Sequence, residues 1–367
     1  MQEQELLALL RLQNIPKVGS VNAKKLLDRC GSATAVFKER KSALRKIDGI
    51  GEVVISGLWD KQHLEEAEDE LKVIQKQEIE VLGFHEDEYP HHLKHCIDGP
   101  ILLFKRGDID LKGKRILSIV GTRNMTSYGQ AFIEDFISQL SPLDPVIVSG
   151  FAYGVDIFAQ RIALENKLQT IGCLAHGLNQ IYPKVHKKYV KQVESNGGFF
   201  TEFWSTSNPD RENFLKRNRI IAGMSEATIV IESAEKGGSL VTANIAHSYN
   251  RDVFAVPGRN SDKFSKGCNN LIKQQKAQML TSAADLVYNL GWKLEEAKKV
   301  ATQKQLFVEL NDTEKSIYKF LQSNGKEQLD IIALECQMPI FQVSSTLLNM
   351  EMKGVIRPLP GKLFEAI

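Results

Sequence analysis

Several familiar signatures are missing from this 367-residue sequence, and each absence narrows its chemistry. The five cysteines (Cys30, Cys96, Cys173, Cys268, Cys336) are far apart and form no Cys-x-x-Cys pair, as expected of thiols kept reduced in the cytoplasm. No apolar run approaches the ~18–20 residues of a membrane span. The opening Met-Gln-Glu-Gln-Glu lacks the basic stretch of a signal peptide. No membrane partner is therefore expected. Neither a Gly-x-Gly-x-x-Gly after a strand nor a Gly-x-x-x-x-Gly-Lys-[Ser/Thr] occurs, so dinucleotide and triphosphate sites are not expected and no cofactor is called for. His176, His186 and His247 show no metal-ligand spacing, and no metal site is expected. Asp156, Glu202 and Glu232 lie near predicted strand ends, but nothing pairs them as acid and base, and no catalytic residue is assigned. Charge is balanced, with 47 Lys and Arg against 45 Asp and Glu, so any polyanion affinity must come from a local patch.

The chain is long enough for two or three domains. Residues 1–60 read as short helices. Ile15-Pro16-Lys17-Val18-Gly19 and Ile47-Asp48-Gly49-Ile50-Gly51 have the turn-then-helix pattern of helix-hairpin-helix units. Such glycine hairpins offer N–H groups to a DNA phosphate or serve as packing turns; Asp48 and modest basicity favour packing. Residues 60–78 read as a charged, solvated spacer helix, which closes an N-terminal domain at 1–78.

From residue 79 to 292, apolar runs alternate with amphipathic helices. Strands are predicted at 79–84, 101–105, 116–120, 146–149, 170–175, 198–202, 227–232 and 252–256, with helices such as 155–165 and 239–249 between them. This is a doubly wound α/β domain with a mostly parallel sheet. A Lys/Glu/Gln-rich linker follows at 293–310. Residues 311–367 read as three helices and a hairpin, a winged-helix-like unit. Its first helix is capped by Asp312 or Thr313, and its third buries Val343, Leu347, Leu348 and Met350. That third helix carries no Arg or Lys before Lys353, which favours a protein-interaction or structural role over DNA reading.

In an open parallel sheet, ligands bind beyond the carboxyl ends of the strands. Four predicted strand ends there carry small residues, hydroxyls and N–H groups. They are Gly121-Thr122-Arg123, Ser149-Gly150, Lys236-Gly237-Gly238-Ser239 and Pro257-Gly258-Arg259. Ser127 stands where a helix N-cap belongs. Lys216-Arg217-Asn218-Arg219 adds three cations within four residues. The physical reading is a phosphate-rich ligand that is held and not turned over.

Taken in order, the motifs form a recognisable set. Val-Gly-Thr-Arg-x-x-x-Ser-Tyr-Gly (120–129), Ser-Gly-x-Ala-x-Gly-Val-Asp (149–156) and Gly-Leu-x-x-Ile-Tyr-Pro (177–183) come first. Arg-Asn-Arg-Ile-Ile-Ala-Gly-Met-Ser (217–225), Lys-Gly-Gly-Ser-Leu-Val-Thr-Ala (236–243), Phe-Ala-Val-Pro-Gly (254–258) and Gly-Cys-Asn-Asn-Leu-Ile (267–272) follow. Along its whole length the chain closely resembles the bacterial DNA-processing protein A family (DprA, also called Smf). The resemblance implies a helical N-terminal domain, an extended Rossmann-like domain and a winged-helix-like domain. It also implies a cytoplasmic, dimerising single-stranded-DNA-binding protein that protects incoming strands and helps load the RecA recombinase. By motif match, Gly121, Thr122, Arg123, Ser149, Gly150, Arg217, Asn218, Arg219, Lys236, Gly238 and Ser239 form the DNA pocket, and Ser127 and Lys216 beside them join the expected site. Departures from the family pattern are Thr122 for Ser, Gly237 for Ser, Gln160 for His and Tyr153 for Arg. The alternative is a Rossmann-like nucleotide hydrolase or phosphoribohydrolase in the same crevice. Against it, Pro257-Gly258 continues to Arg259-Asn260 and not to a Pro-Gly-Gly-x-Gly-Thr loop.

Overall fold

A computed structural model describes residues 1–292, 310–359 and 363–366. The chain divides into two compact units, Met1–Lys293 and Leu294–Ile367. Apart from residue 310, the expected linker lies outside the described residues.

Apolar, β-branched segments in the first unit build nine strands. These are β1 (Glu80–Gly83), β2 (Leu102–Asp108), β3 (Ile116–Val120), β4 (Val146–Ser149), β5 (Thr170–Cys173), β6 (Gly197–Thr201), β7 (Ala227–Val230), β8 (Asp252–Ala255) and the unanticipated β9 (Gln278–Met279). Their order is β1-β2-β6-β5-β4-β3-β7-β8-β9. From β6 to β9 every neighbouring pair is parallel, and β2 and β1 extend the sheet antiparallel beyond β6. The result is the doubly wound, mostly parallel α/β sheet that the alternating pattern predicts. β3 is its pivot: the chain runs from β3 to β4 on one side and later returns to β7 on the other. A crevice opens at such a switch point, beyond the strand ends.

All five residues of β3 are buried, because helices cover both faces. Ile116 and Val120 enter one core, shared with the N-terminal helices and with Ile220 and Ile221 of the helix Arg211–Met224. Leu117 and Ile119 enter the other, packed by the helices Ser127–Leu140 and Val155–Glu165. Ser118 is satisfied inside: its hydroxyl donates to the Ile221 carbonyl at 3.1 Å.

The N-terminal helices belong to this same unit. Lys25 Nζ donates to the Asp48 carbonyl at 2.9 Å, so the two glycine hairpins pack on each other. The helix Lys61–Lys76 is not the solvated spacer its charge suggests. It buries Ala67, Glu70, Leu71 and Ile74. The Glu70 carboxylate accepts the Ser205 N–H at 2.8 Å and the Ser205 hydroxyl at 2.5 Å. Trp204 Nε1 donates to Gln13 Oε1 at 2.9 Å beside it. A mixed-charge helix thus spends one buried carboxylate on joining two parts of the unit.

In the second unit, the helices Asp312–Asn324, Leu329–Glu335 and Ile340–Met352 accompany a sheet of order β10-β12-β11. Its strands are β10 (Glu327–Gln328), β11 (Ile356–Leu359) and β12 (Leu363–Ala366). This is the expected winged helix, with two corrections. Asn311, not Asp312 or Thr313, caps the first helix, in a reciprocal capping box with Glu314. Leu348 faces outward at 58% exposure, because Val343, Leu347 and Met350 already fill the buried stripe.

Among the described residues, no single helix is long and apolar enough to cross a membrane. Truncating Glu70 leaves the Ser205 N–H without its buried acceptor, so Glu70→Ala should cost about 2 kcal/mol in urea denaturation. An unchanged midpoint would contradict the seam.

Candidate nucleic-acid interface

The chain leaves β3 through Gly121-Thr122-Arg123. The Thr122 N–H donates to the Glu232 carbonyl at 2.8 Å, and the Thr122 carbonyl accepts the Val155 N–H at 3.1 Å. Three strand-end loops are thereby tied at one point. Gly154 makes this possible: it has φ +75°, and a Cβ there would lie 2.3 Å from the Thr122 carbonyl oxygen. The buried Glu232 carboxylate accepts the Thr126 N–H at 2.8 Å and the Thr126 hydroxyl. Thr126 in turn caps the helix Ser127–Leu140, so Ser127 is its first residue and not its cap.

A cleft of about 580 Å³ opens above this knot. Gly121, Thr122, Arg123, Arg217, Asn218, Gly238 and Ser239 line it, which gathers seven of the expected site residues. Arg123 is exposed, with its guanidinium 5.8 Å from the Phe214 ring centre. The helix Gly238–Ser248 starts in the cleft with no side-chain cap, so its first amides and dipole face the space. Tyr182 and Phe214, with ring centres 5.7 Å apart, form an aromatic wall. The sequence reading assigned neither ring a role. Phe214 was detectable as the residue one helical turn before Arg217, and Tyr182 as part of the 177–183 motif.

Arg217 has a different place from the one expected. It is buried, and its Nη1 donates to the carbonyls of Gly150, at 2.7 Å, and Cys173. Burial pulls its pKa down, opposed by the Asp156 charge; burial likewise pushes Asp156 up, opposed by Arg217. Both directions say that desolvation outweighs their attraction. Arg217 is therefore the charged floor of the cleft, not a free phosphate contact.

Six expected residues do not line the cleft. Ser149 is buried and donates to the Ile119 carbonyl at 2.6 Å. Gly150 gives its N–H to Asp156 and its carbonyl to Arg217. Lys216 and Arg219 project from another face of their helix into a second hollow, which Gln13, Glu202 and Trp204 also line. There the Arg219 guanidinium pairs with the Glu202 carboxylate and the Asp98 carbonyl. Ser127 and Lys236 are exposed outside the cleft lining.

Little of this resembles acid–base or nucleophilic machinery. Glu232 holds a loop, Asp156 faces Arg217, and burial pushes the Cys173 thiol up to about 12. His176 is structural too: it sits 2.9 Å from the Gly177 carbonyl, and its Nε2 accepts the Tyr182 N–H at 3.2 Å. Among the described residues, no group of three or more His, Cys, Asp or Glu could hold a metal.

A Rossmann-like sheet with a phosphate-compatible cleft at its switch point, followed by a winged helix, defines the class. The model of the DNA recombination-mediator protein A family matches residues 80–291, and that of the DprA winged helix domain matches 303–362. The chain belongs to the DNA-processing protein A (DprA/Smf) family. It is 37% identical over 221 residues to the DNA processing protein DprA of Bacillus subtilis, covering 60% of this chain and 74% of that one. It is 32% identical over 276 residues to protein Smf of Escherichia coli, covering 74% of each. The solved DprA of Streptococcus pneumoniae superposes with a TM-score of 0.64 at 29% identity, covering 78% of this chain and 98% of that one. DNA processing protein A of Helicobacter pylori, whose structure concerns its single-stranded DNA binding mode, gives 0.52 at 30% identity over 58% of this chain and 95% of that one.

Burial holds the His176 pKa below the ordinary histidine value. The unfolded chain then binds a proton more readily than the folded one, so stability falls as pH drops below about 6.5. This one group contributes a slope of at most ~1.4 kcal/mol per pH unit. His176→Gln should flatten the pH dependence of urea stability below about pH 6.5.

Proposed function

We propose that this chain binds single-stranded DNA in the cleft at the end of β3, protects it, and promotes RecA loading during recombination or natural transformation. The observation that carries the reading is the cleft itself. Tied loops present Gly121–Arg123 and the uncapped start of Gly238–Ser248, with a buried guanidinium beneath and an aromatic wall beside them. Phosphates suit Arg123 and the first amides of Gly238–Ser248, while bases suit Tyr182 and Phe214, which tolerate any sequence. The single-stranded DNA binding described for the Helicobacter pylori relative supports the same ligand. Among the expected contacts, Gly121, Thr122, Arg123, Asn218, Gly238 and Ser239 are those a strand in the cleft meets directly.

The strand is held and not transformed, since the nearby carboxylates are engaged in scaffolding. The protein works in the cytoplasm as a homodimer. Three modules divide the labour: the N-terminal helices, the DNA-binding sheet, and a winged helix that meets protein. For the winged helix, the support is that Lys353, just past its third helix, is paired with Glu314 at 2.7 Å, and Arg357 of β11 with Glu365.

Arg123→Ala should weaken binding to oligo-dT and flatten the slope of log K against log salt by about 0.7, the loss of one phosphate contact. Lys216→Ala, in the second hollow, should leave that slope nearly intact. Equal effects of the two changes, read by fluorescence anisotropy across a salt series, would contradict this site.

A further inference from the structure

The sequence holds eight histidines, and three of them fall in one short stretch, His91-His92-Leu-Lys-His95. The segment His91–Lys94 forms a single helical turn, with His95 as its C-cap. His91 and His95 stand one turn apart, and both are exposed. Their Nε2 atoms lie 3.4 Å apart, and their rings meet at 71° with centres 4.8 Å apart.

That separation is informative. A good hydrogen bond from a ring N–H falls at about 2.7–3.2 Å, so 3.4 Å is long for two imidazoles bonding each other. A tetrahedral zinc ion, with Zn–N of about 2.0–2.1 Å, holds two ligand nitrogens about 3.3–3.4 Å apart. A right-angled coordination geometry at the same bond length would need only about 2.9 Å. The separation of the two Nε2 atoms thus matches the distance between two ligands of a tetrahedral ion. Imidazole is also a ligand type that zinc favours over the oxygen-seeking Mg²⁺ and Ca²⁺.

We propose that His91 and His95 form a two-histidine site for a zinc ion, separate from the cleft. No third His, Cys, Asp or Glu among the described residues joins the pair, so water fills the remaining positions. The ion clamps the start of the turn to its end. Leu93 and Cys96, between and beside the two ligands, are buried, and they seat against Gly223 of the helix Arg211–Met224. The helix that carries Arg217 is thus the one against which the clamped turn packs.

Equilibrium dialysis of the full chain against zinc chloride in excess Mg²⁺ tests the site. The wild type should take up one zinc ion per chain, and its melting temperature should rise with zinc because the ion binds only the folded turn. His91→Ala and His95→Ala, both at exposed positions, should lose that uptake and the thermal shift. His247→Ala, at an exposed histidine on another helix, should keep both. Cobalt substituted for zinc should give the intense visible bands of a tetrahedral ion. Equal zinc uptake by wild type and both variants, no uptake by the wild type, or a weak octahedral cobalt spectrum would each overturn the proposal.

Discussion

The guanidinium of Arg217 holds the candidate site together. Strands β4 and β5 run side by side, and the carbonyls of Gly150, just past β4, and of Cys173, the last residue of β5, face the buried Arg217 side chain at the cleft floor. Arg217 reaches both from the helix Arg211–Met224, and Asp156 balances its charge from the helix Val155–Glu165. Burying such a group costs desolvation energy, and removing one partner of a buried charge costs about 3–5 kcal/mol. What that cost secures is geometric. One side chain fixes two strand ends and a crossover helix relative to each other, and the Thr122–Glu232–Val155 backbone bonds lock the β3 loop onto the same frame. A preorganised floor of this kind lets a flexible polyanion bind without first ordering the loops that receive it.

The doubly wound sheet was legible because buried parallel strands leave a strong mark: short β-branched runs separated by helices. The Ile116–Val120 and Val146–Ser149 boundaries matched residue for residue. Gly121–Arg123 and Gly238–Ser239 were legible for a related reason, since the switch point of such a sheet dictates where its ligand loops converge. The charge cluster misled. Lys216, Arg217 and Arg219 are neighbours in sequence, but successive helical residues turn by about 100°, so a helix divides them among faces. Arg217 faces the cleft with Phe214 and Ile221, while Lys216 and Arg219 line the second hollow with Asn213. Ser149 and Gly150 misled in another way: their polar groups are spent on internal bonds that no sequence pattern reveals.

Charge pattern also hid the N-terminal arrangement. The helix Lys61–Lys76 reads as solvated throughout, yet Glu70 is buried against Ser205. In the winged helix, Lys353 and Arg357 are likewise matched by distant carboxylates, those of Glu314 and Glu365. Counting charges fails in both places for one reason. A charge matters through its partner, and partners come from distant segments.

Gly238 offers the most direct test of the cleft. It lines the space, no atom lies within 4 Å of where a Cβ would stand, and it opens a helix. A glutamate there suits the helix dipole and leaves the fold intact while placing a carboxylate where phosphates are expected. Gly238→Glu should melt like the wild type but bind oligo-dT at least about tenfold more weakly at low salt. A folded variant that binds the strand with wild-type affinity would contradict it.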